Sequence, residues 1–123
     1  MHLGEFDSLF KDYFDTLYTQ DLALFDRVFH DGAVLYSQQD GQTVVRPFAE
    51  YRRILQGRAA PAEKNVPRDE TVLMIDRLSD SMAVAKVRLR LFDNIMEDHL
   101  SIMKTGKGWQ IFAKVFYRAG SAV

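Results

Sequence analysis

The side chains able to do acid–base chemistry in this sequence are few and scattered. Its 123 residues include no cysteine and three histidines, His2, His30 and His99. No two histidines stand four residues apart, the spacing that would place them together on a helix as metal ligands. Without thiols there is no nucleophilic or redox sulfur chemistry. The glycines form no phosphate-cradling run, so no metal set and no cofactor motif is predicted. What remains is Asp98, a carboxylate in an apolar run, and the tyrosines Tyr13, Tyr51 and Tyr117. A carboxylate among apolar side chains either has its pKa raised or finds a donor. Tyr13 and Tyr117 are the candidate donors, and Asp98 with Tyr13 is the candidate catalytic acid–base pair, set against the favoured reading of Asp98 as a solvated residue near the mouth of the sheet. The three tyrosines together suit a neutral, partly aromatic ligand. Trp109 reads as a core plug at the open end of a sheet, with stacking on a ligand as the alternative. His30 falls beside a helix end as a capping or surface residue, and His2 sits at the terminus.

These groups are positioned chiefly by the stretch from Glu70 to Arg118, which reads as successive antiparallel strands. A turn at Asp93-Asn94 puts Leu89 opposite Asp98, Val87 opposite Leu100 and Ala85 opposite Ile102. A second turn, Thr105 to Gly108, puts Ile102 opposite Ile111, Leu100 opposite Ala113 and His99 opposite Lys114. One face then collects Ala85, Val87, Leu89, Asp98, Leu100, Trp109, Ile111, Val115 and Tyr117, and must sit against helices. The other collects Arg88, His99, Phe112, Lys114 and Phe116. That second face, mixing cations with apolar side chains, is expected to be a homodimer contact. Its group His99, Arg88 and Lys114 suits an anion or a subunit better than a metal. A hairpin at Ser79-Asp80 brings Val72 and Met74 onto the first face.

Upstream, Phe6, Leu9, Phe10, Tyr13, Phe14, Leu17 and Tyr18 recur at three- and four-residue steps, predicting a helix over Glu5 to Thr19. Asp21 is the predicted N-cap of a shorter helix that ends near Asp31-Gly32. Ala33 to Ser37 and Thr43 to Val45 read as short strands. Pro47 stands in the first turn of a third helix closed by Gly57. Arg58 to Asp69, with Pro61 and Pro67, has no periodicity and is expected to be the most mobile part. Lysine plus arginine total 16 against 17 acids, so no field recruits nucleic acid or anionic membrane. No apolar run is long enough to cross a bilayer, and the start MHLGEFDSLF has no secretion-signal pattern, which predicts a cytoplasmic single domain over residues 1–123.

The order helix, helix, short strand pair, helix, antiparallel meander resembles the nuclear transport factor 2-like superfamily. The resemblance rests on Asp21-Leu22, Phe29-His30-Asp31-Gly32-Ala33, Pro47-Phe48 and Gly108-Trp109-Gln110-Ile111. Within that superfamily the run from Leu100 to Phe116 looks most like the putative lumazine-binding group, beside the polyketide-cyclase-like families. The resemblance implies an α+β cystatin-like cone: three N-terminal helices packed on a strongly curved, mainly antiparallel mixed sheet that encloses a pocket. It also implies dimer contacts on the opposite face. Laid on the ketosteroid-isomerase-like pattern, Tyr13 occupies the tyrosine position, but Ser37 stands at the base and Leu100 at the acid. Serine without an adjacent base does not shuttle a proton, so that constellation is broken. The expected pocket wall is Tyr13, Ser37, Tyr51, Leu100, Trp109 and Tyr117. Three functions follow as expectations: a binder of a small apolar or aromatic molecule, a dehydratase-, isomerase- or cyclase-type enzyme using Asp98 and Tyr13, or a protein-association module.

Overall fold

Asp21 sets the path of the amino-terminal half. A computed structural model describes residues 3–123; His2 lies outside the described residues. After a 3-10 turn over Leu3–Phe6, helix α1 runs Asp7–Thr19 and buries Leu9, Phe10, Tyr13, Phe14 and Leu17 along one stripe. Gln20 closes it in the left-handed conformation, φ 58°. Asp21 then caps helix α2, Leu22–Val28: its Oδ1 accepts from the backbone N–H of Ala23 at 2.8 Å and of Leu24 at 3.1 Å. No loop follows. Phe29 is both the C-cap of α2 and the first residue of strand β1, Phe29–Gln39, so Asp31-Gly32 lies inside a strand and does not mark a helix end.

Strand β2, Gln42–Pro47, returns antiparallel to β1. Pro47 is extended, ψ 159°, and is the N-cap of helix α3, Phe48–Gly57, one residue earlier than a first-turn proline. The connection from 58 to 69 is pinned to α1: Tyr18 Oη donates to the Val66 carbonyl at 2.8 Å, Arg68 pairs with Asp15, and Ala60 and Pro61 are buried. Strands β3, Glu70–Ser79, β4, Met82–Leu91, β5, Asn94–Thr105, and β6, Gly108–Ser121, complete a six-stranded sheet ordered β2-β1-β6-β5-β4-β3. Only the β1–β6 pair is parallel, so the sheet is mixed and mainly antiparallel, with the helices on its inner face. Phe25 stacks on Phe29 and on Phe48, with ring centroids 4.7 and 5.0 Å apart, joining α2, β1 and α3 in one aromatic cluster.

The meander differs in register from the sequence reading, and three of the differences bear on which side chains face the site. The β4–β5 turn uses Phe92-Asp93, with Phe92 at φ 56°, so Leu89 faces Met96 and Val87 faces Asp98. That slip moves each partner by two residues, which keeps every side chain on its expected face. In β3 the pairing skips Leu73, so Val72 faces Val87 but Met74 faces Lys86, on the outer side. In β6 the ladder passes from Ile102↔Ile111 to Ser101↔Ala113 and skips Phe112. A bulge of one residue reverses the alternation beyond it. Lys114 and Phe116 therefore turn inward and Val115 and Tyr117 outward, the opposite of the uninterrupted alternation.

The inner face carries Ala85, Val87, Leu100 and Ile111 at 0% exposure. Leu100→Ala is expected to lower stability by about 2–5 kcal/mol, the cost of a core cavity. Urea denaturation followed by tryptophan fluorescence measures this.

Candidate functional site

The Phe112 bulge builds the site. Phe112 itself stacks on His30, centroids 4.2 Å apart, and Ser37 Oγ donates to the Phe116 carbonyl at 2.6 Å, fixing β6 against β1 on either side of Lys114. Lys114 then faces Leu100 on β5 and Leu35 on β1 and is 5% exposed. Its Nζ lies 3.8 Å from Asp98 Oδ2. It also lies 5.3 Å from the centre of the Tyr13 ring and 5.4 Å from those of Tyr51 and Phe116. Such a desolvated cation–π contact is worth up to about 2 kcal/mol.

Asp98, 2% exposed, is the matching anion. Tyr13 Oη donates to its Oδ2 at 2.5 Å, while Oδ1 is buried without a hydrogen-bond partner. Tyr13 is fully buried, and that burial pushes its phenol well above the ordinary tyrosine range, with the nearby Asp98 charge adding to the effect. The phenol therefore stays protonated and acts as a donor. Carboxylate, phenol and ammonium form a chain that could hold or pass a proton.

This chain borders a cavity of about 400 Å³ between the helices and the concave sheet face. Leu17, Leu35, Leu89, Tyr51, Met96 and Phe116 supply its apolar wall; Asp98, Lys114, Arg46, Arg58 and Arg118 supply its polar one. The mouth lies by the Phe92 turn. A more open depression of about 580 Å³, bordered by His30, Phe48 and Lys107, lies at the other end of β5. Among the described residues no group of three or more His, Cys, Asp or Glu side chains converges as a metal site would require. No described helix is long and apolar enough to cross a membrane.

Of the residues predicted from the sequence, Asp98 and Tyr51 line the cavity, and Tyr13 sits beneath it, bonded to Asp98. Leu100 and Ser37 are buried in the packing behind the wall. Trp109 packs on the Phe6 ring, centroids 4.8 Å apart, and borders a separate groove with Leu9 and Val28, so it plugs the end of the sheet away from the mouth. Tyr117 is 53% exposed on the outer face, where it donates to Glu97 at 3.1 Å; the bulge removes it from the pocket. Lys114 and Phe116 leave the expected outer face for the same reason, while Arg88 and His99 stay on it. The sequence reading misses Lys114, Arg46, Arg58 and Arg118 as cavity residues. Lys114-Val115-Phe116-Tyr117-Arg118 alternates equally well in either phase, and the bulge that sets the phase has no glycine to announce it.

Helices packed on a mixed, mainly antiparallel sheet around such a cavity form the fold seen in solved structures described as NTF2-like and as having a cystatin-like fold. Residues 3–117 match the model of the family described as Putative lumazine-binding, and the chain belongs to that family. A solved structure from Silicibacter pomeroyi DSS-3, described as an NTF-2 like protein of unknown function, is 17% identical, with 95% of each chain covered and a TM-score of 0.82. A second, from Shewanella baltica OS155, described as an NTF2-like protein of unknown function, is 13% identical over 96% of this chain and 94% of its own, with a TM-score of 0.81. A ketosteroid isomerase-like protein from Erwinia carotovora atroseptica is 11% identical over 96% of each chain, with a TM-score of 0.72. At these identities the likeness is one of fold. No curated protein matches the chain.

Tyr13→Phe leaves both Asp98 oxygens without a hydrogen-bond donor and is expected to cost about 1–3 kcal/mol at neutral pH. Because the native phenol titrates above its unfolded value of about 10, the unfolded chain releases this proton first. The contribution is complete below pH ~10 and is lost as pH rises toward the native value. Urea titrations of both proteins should therefore show the gap between them narrowing above pH ~10.

Proposed function

We propose that the protein binds a small, partly aromatic molecule in the cone cavity. The observation that carries this reading is the cavity of about 400 Å³ between helices and sheet, whose apolar wall is joined on one side by the polar groups of Asp98, Lys114, Arg46, Arg58 and Arg118. A concave, mostly apolar space with a few convergent polar groups is the form that small-molecule sites take. Membership of a family described by lumazine binding supports the same reading. A direct test is fluorescence titration with the neutral aromatic probe N-phenyl-1-naphthylamine. Wild type should enhance its emission, and Leu35→Trp, which fills the cavity from β1, should abolish the enhancement in a protein that still melts cooperatively. Equal binding by both proteins would contradict the proposal.

One observation favours a second reading, an enzyme of the dehydratase, isomerase or cyclase kind. It is the buried hydrogen bond of 2.5 Å from Tyr13 to Asp98 beside the cavity, which supports an acid–base role for the two. In that case Asp98→Asn should lose at least about a hundredfold in turnover in a protein that still melts cooperatively.

We further propose that the outer face joins two copies. After the bulge that face carries Arg88 and His99 with the exposed apolar residues Val84, Val115 and Tyr117, while Phe112 is held against His30. Exposed apolar patches of this kind mark association surfaces. Light scattering should give a dimer mass for wild type and a monomer mass for Val115→Asp. A wild-type monomer would transfer that face to a different protein partner.

A further inference from the structure

The charge on the cavity wall does not follow from composition. The whole chain is close to neutral, with 16 basic residues against 17 acidic ones. Yet the wall brings together Arg46, Arg58, Lys114 and Arg118 against a single carboxylate, Asp98. Elsewhere the arginines are neutralised: Arg27, Arg52, Arg68, Arg77, Arg88 and Arg90 each pair with an aspartate or glutamate. Among the described residues, Arg46, Arg53, Arg58 and Arg118 pair with no carboxylate within 4.0 Å, and three of these four line the one cavity.

Each of the three is held by neutral neighbours that orient its guanidinium without cancelling its charge. Arg58 Nε donates to Gln20 Oε1 at 3.1 Å, and its Nη2 is buried with no partner. Arg118 Nε donates to Asn94 Oδ1 at 2.6 Å. Arg46 lies over the Phe116 ring, 6.0 Å from its centre. A guanidinium presents a planar fork of donors that matches an oxyanion, and a low-dielectric cleft of one sign concentrates the opposite charge.

Resting on the cavity reading, we propose that the ligand is an anion: a flat apolar or aromatic body carrying an oxyanion group of the carboxylate, sulfonate or phosphate class. The body lies along Leu35, Leu89, Tyr51 and Phe116. The oxyanion sits toward the mouth, between Arg58, Arg46 and Arg118, while Asp98 keeps Lys114 occupied deeper in.

The test compares two probes that share one ring system. 1-Anilinonaphthalene-8-sulfonate carries the oxyanion, and N-phenyl-1-naphthylamine lacks it. In low-salt buffer, wild type is expected to bind the sulfonate about tenfold more tightly than the neutral probe, a difference sensitive to added salt. Arg58→Gln and Arg118→Gln should each reduce that preference several-fold, with cooperative urea unfolding of both variants reporting that they are folded. Equal affinity of wild type for the two probes, or a preference unchanged in both variants, would overturn the anion inference. The cavity reading would then still stand provided Leu35→Trp abolishes binding of the neutral probe. Binding of the neutral probe that survives Leu35→Trp would overturn the cavity reading, and the anion inference with it.

Discussion

Lys114 carries a positive charge into the interior of the cone, and the surrounding packing is arranged around that fact. Taking an ammonium and a carboxylate out of water costs several kcal/mol per ion. Their attraction at 3.8 Å returns only about 4 kcal/mol at the effective dielectric of a protein interior. The pair is therefore not self-sufficient. Three aromatic faces around Nζ and the short hydrogen bond from Tyr13 to Asp98 supply the remaining compensation. Tyr13 comes from α1, Tyr51 from α3, Asp98 from β5 and Phe116 from β6, so the ion pair ties both layers of the fold to one point. Removing either charged partner alone would strand the other in a dry environment, a change that costs about 3–5 kcal/mol in buried pairs.

The same arrangement gives the cavity its character. The apolar inner sheet face and the helix stripe would by themselves enclose an oily space. Asp98 and Lys114 make one wall polar, and the arginines at the mouth make its field positive. A protein stabilised only by packing has no need of unpaired guanidinium groups around a void. The local rules of burial and pairing are broken at Asp98 Oδ1 and Arg58 Nη2, the kind of departure expected at functional sites.

Much of this architecture was legible in the sequence. The stripe of Phe6 to Leu17 and the cap at Asp21 report local physics, helix period and side-chain capping, and both are present as read. The meander and its turns were legible because alternation has a period of two, and a two-residue slip at Phe92-Asp93 leaves that period intact. The meeting of Tyr13 with Asp98 was legible only in part: the sequence offered Tyr13 and Tyr117 alike as donors, with a solvated Asp98 near the mouth of the sheet as the favoured reading, whereas Asp98 is 2% exposed and bonded to Tyr13. What alternation cannot show is a bulge. Phe112 is skipped because of contacts made across the sheet and with His30, and no turn residue signals them. That one unpaired position moved Lys114 and Phe116 into the site and Tyr117 out of it. Arg46 and Arg58 were hidden for another reason: they come from an edge strand and an irregular connection, where no periodicity tells which way a side chain faces.

The site depends on Lys114 facing inward, and the most direct measurement is a proton nuclear Overhauser spectrum with Lys114 and the tyrosine rings assigned. Cross-peaks from the Lys114 ε-methylene to the rings of Tyr13 and Tyr51, with ring-current shielding of that methylene, are the predicted result. A freely mobile, unshielded Lys114 ε-methylene, with Val115 or Tyr117 in contact with Tyr51 instead, would place β6 in the opposite phase and contradict the site described for this protein.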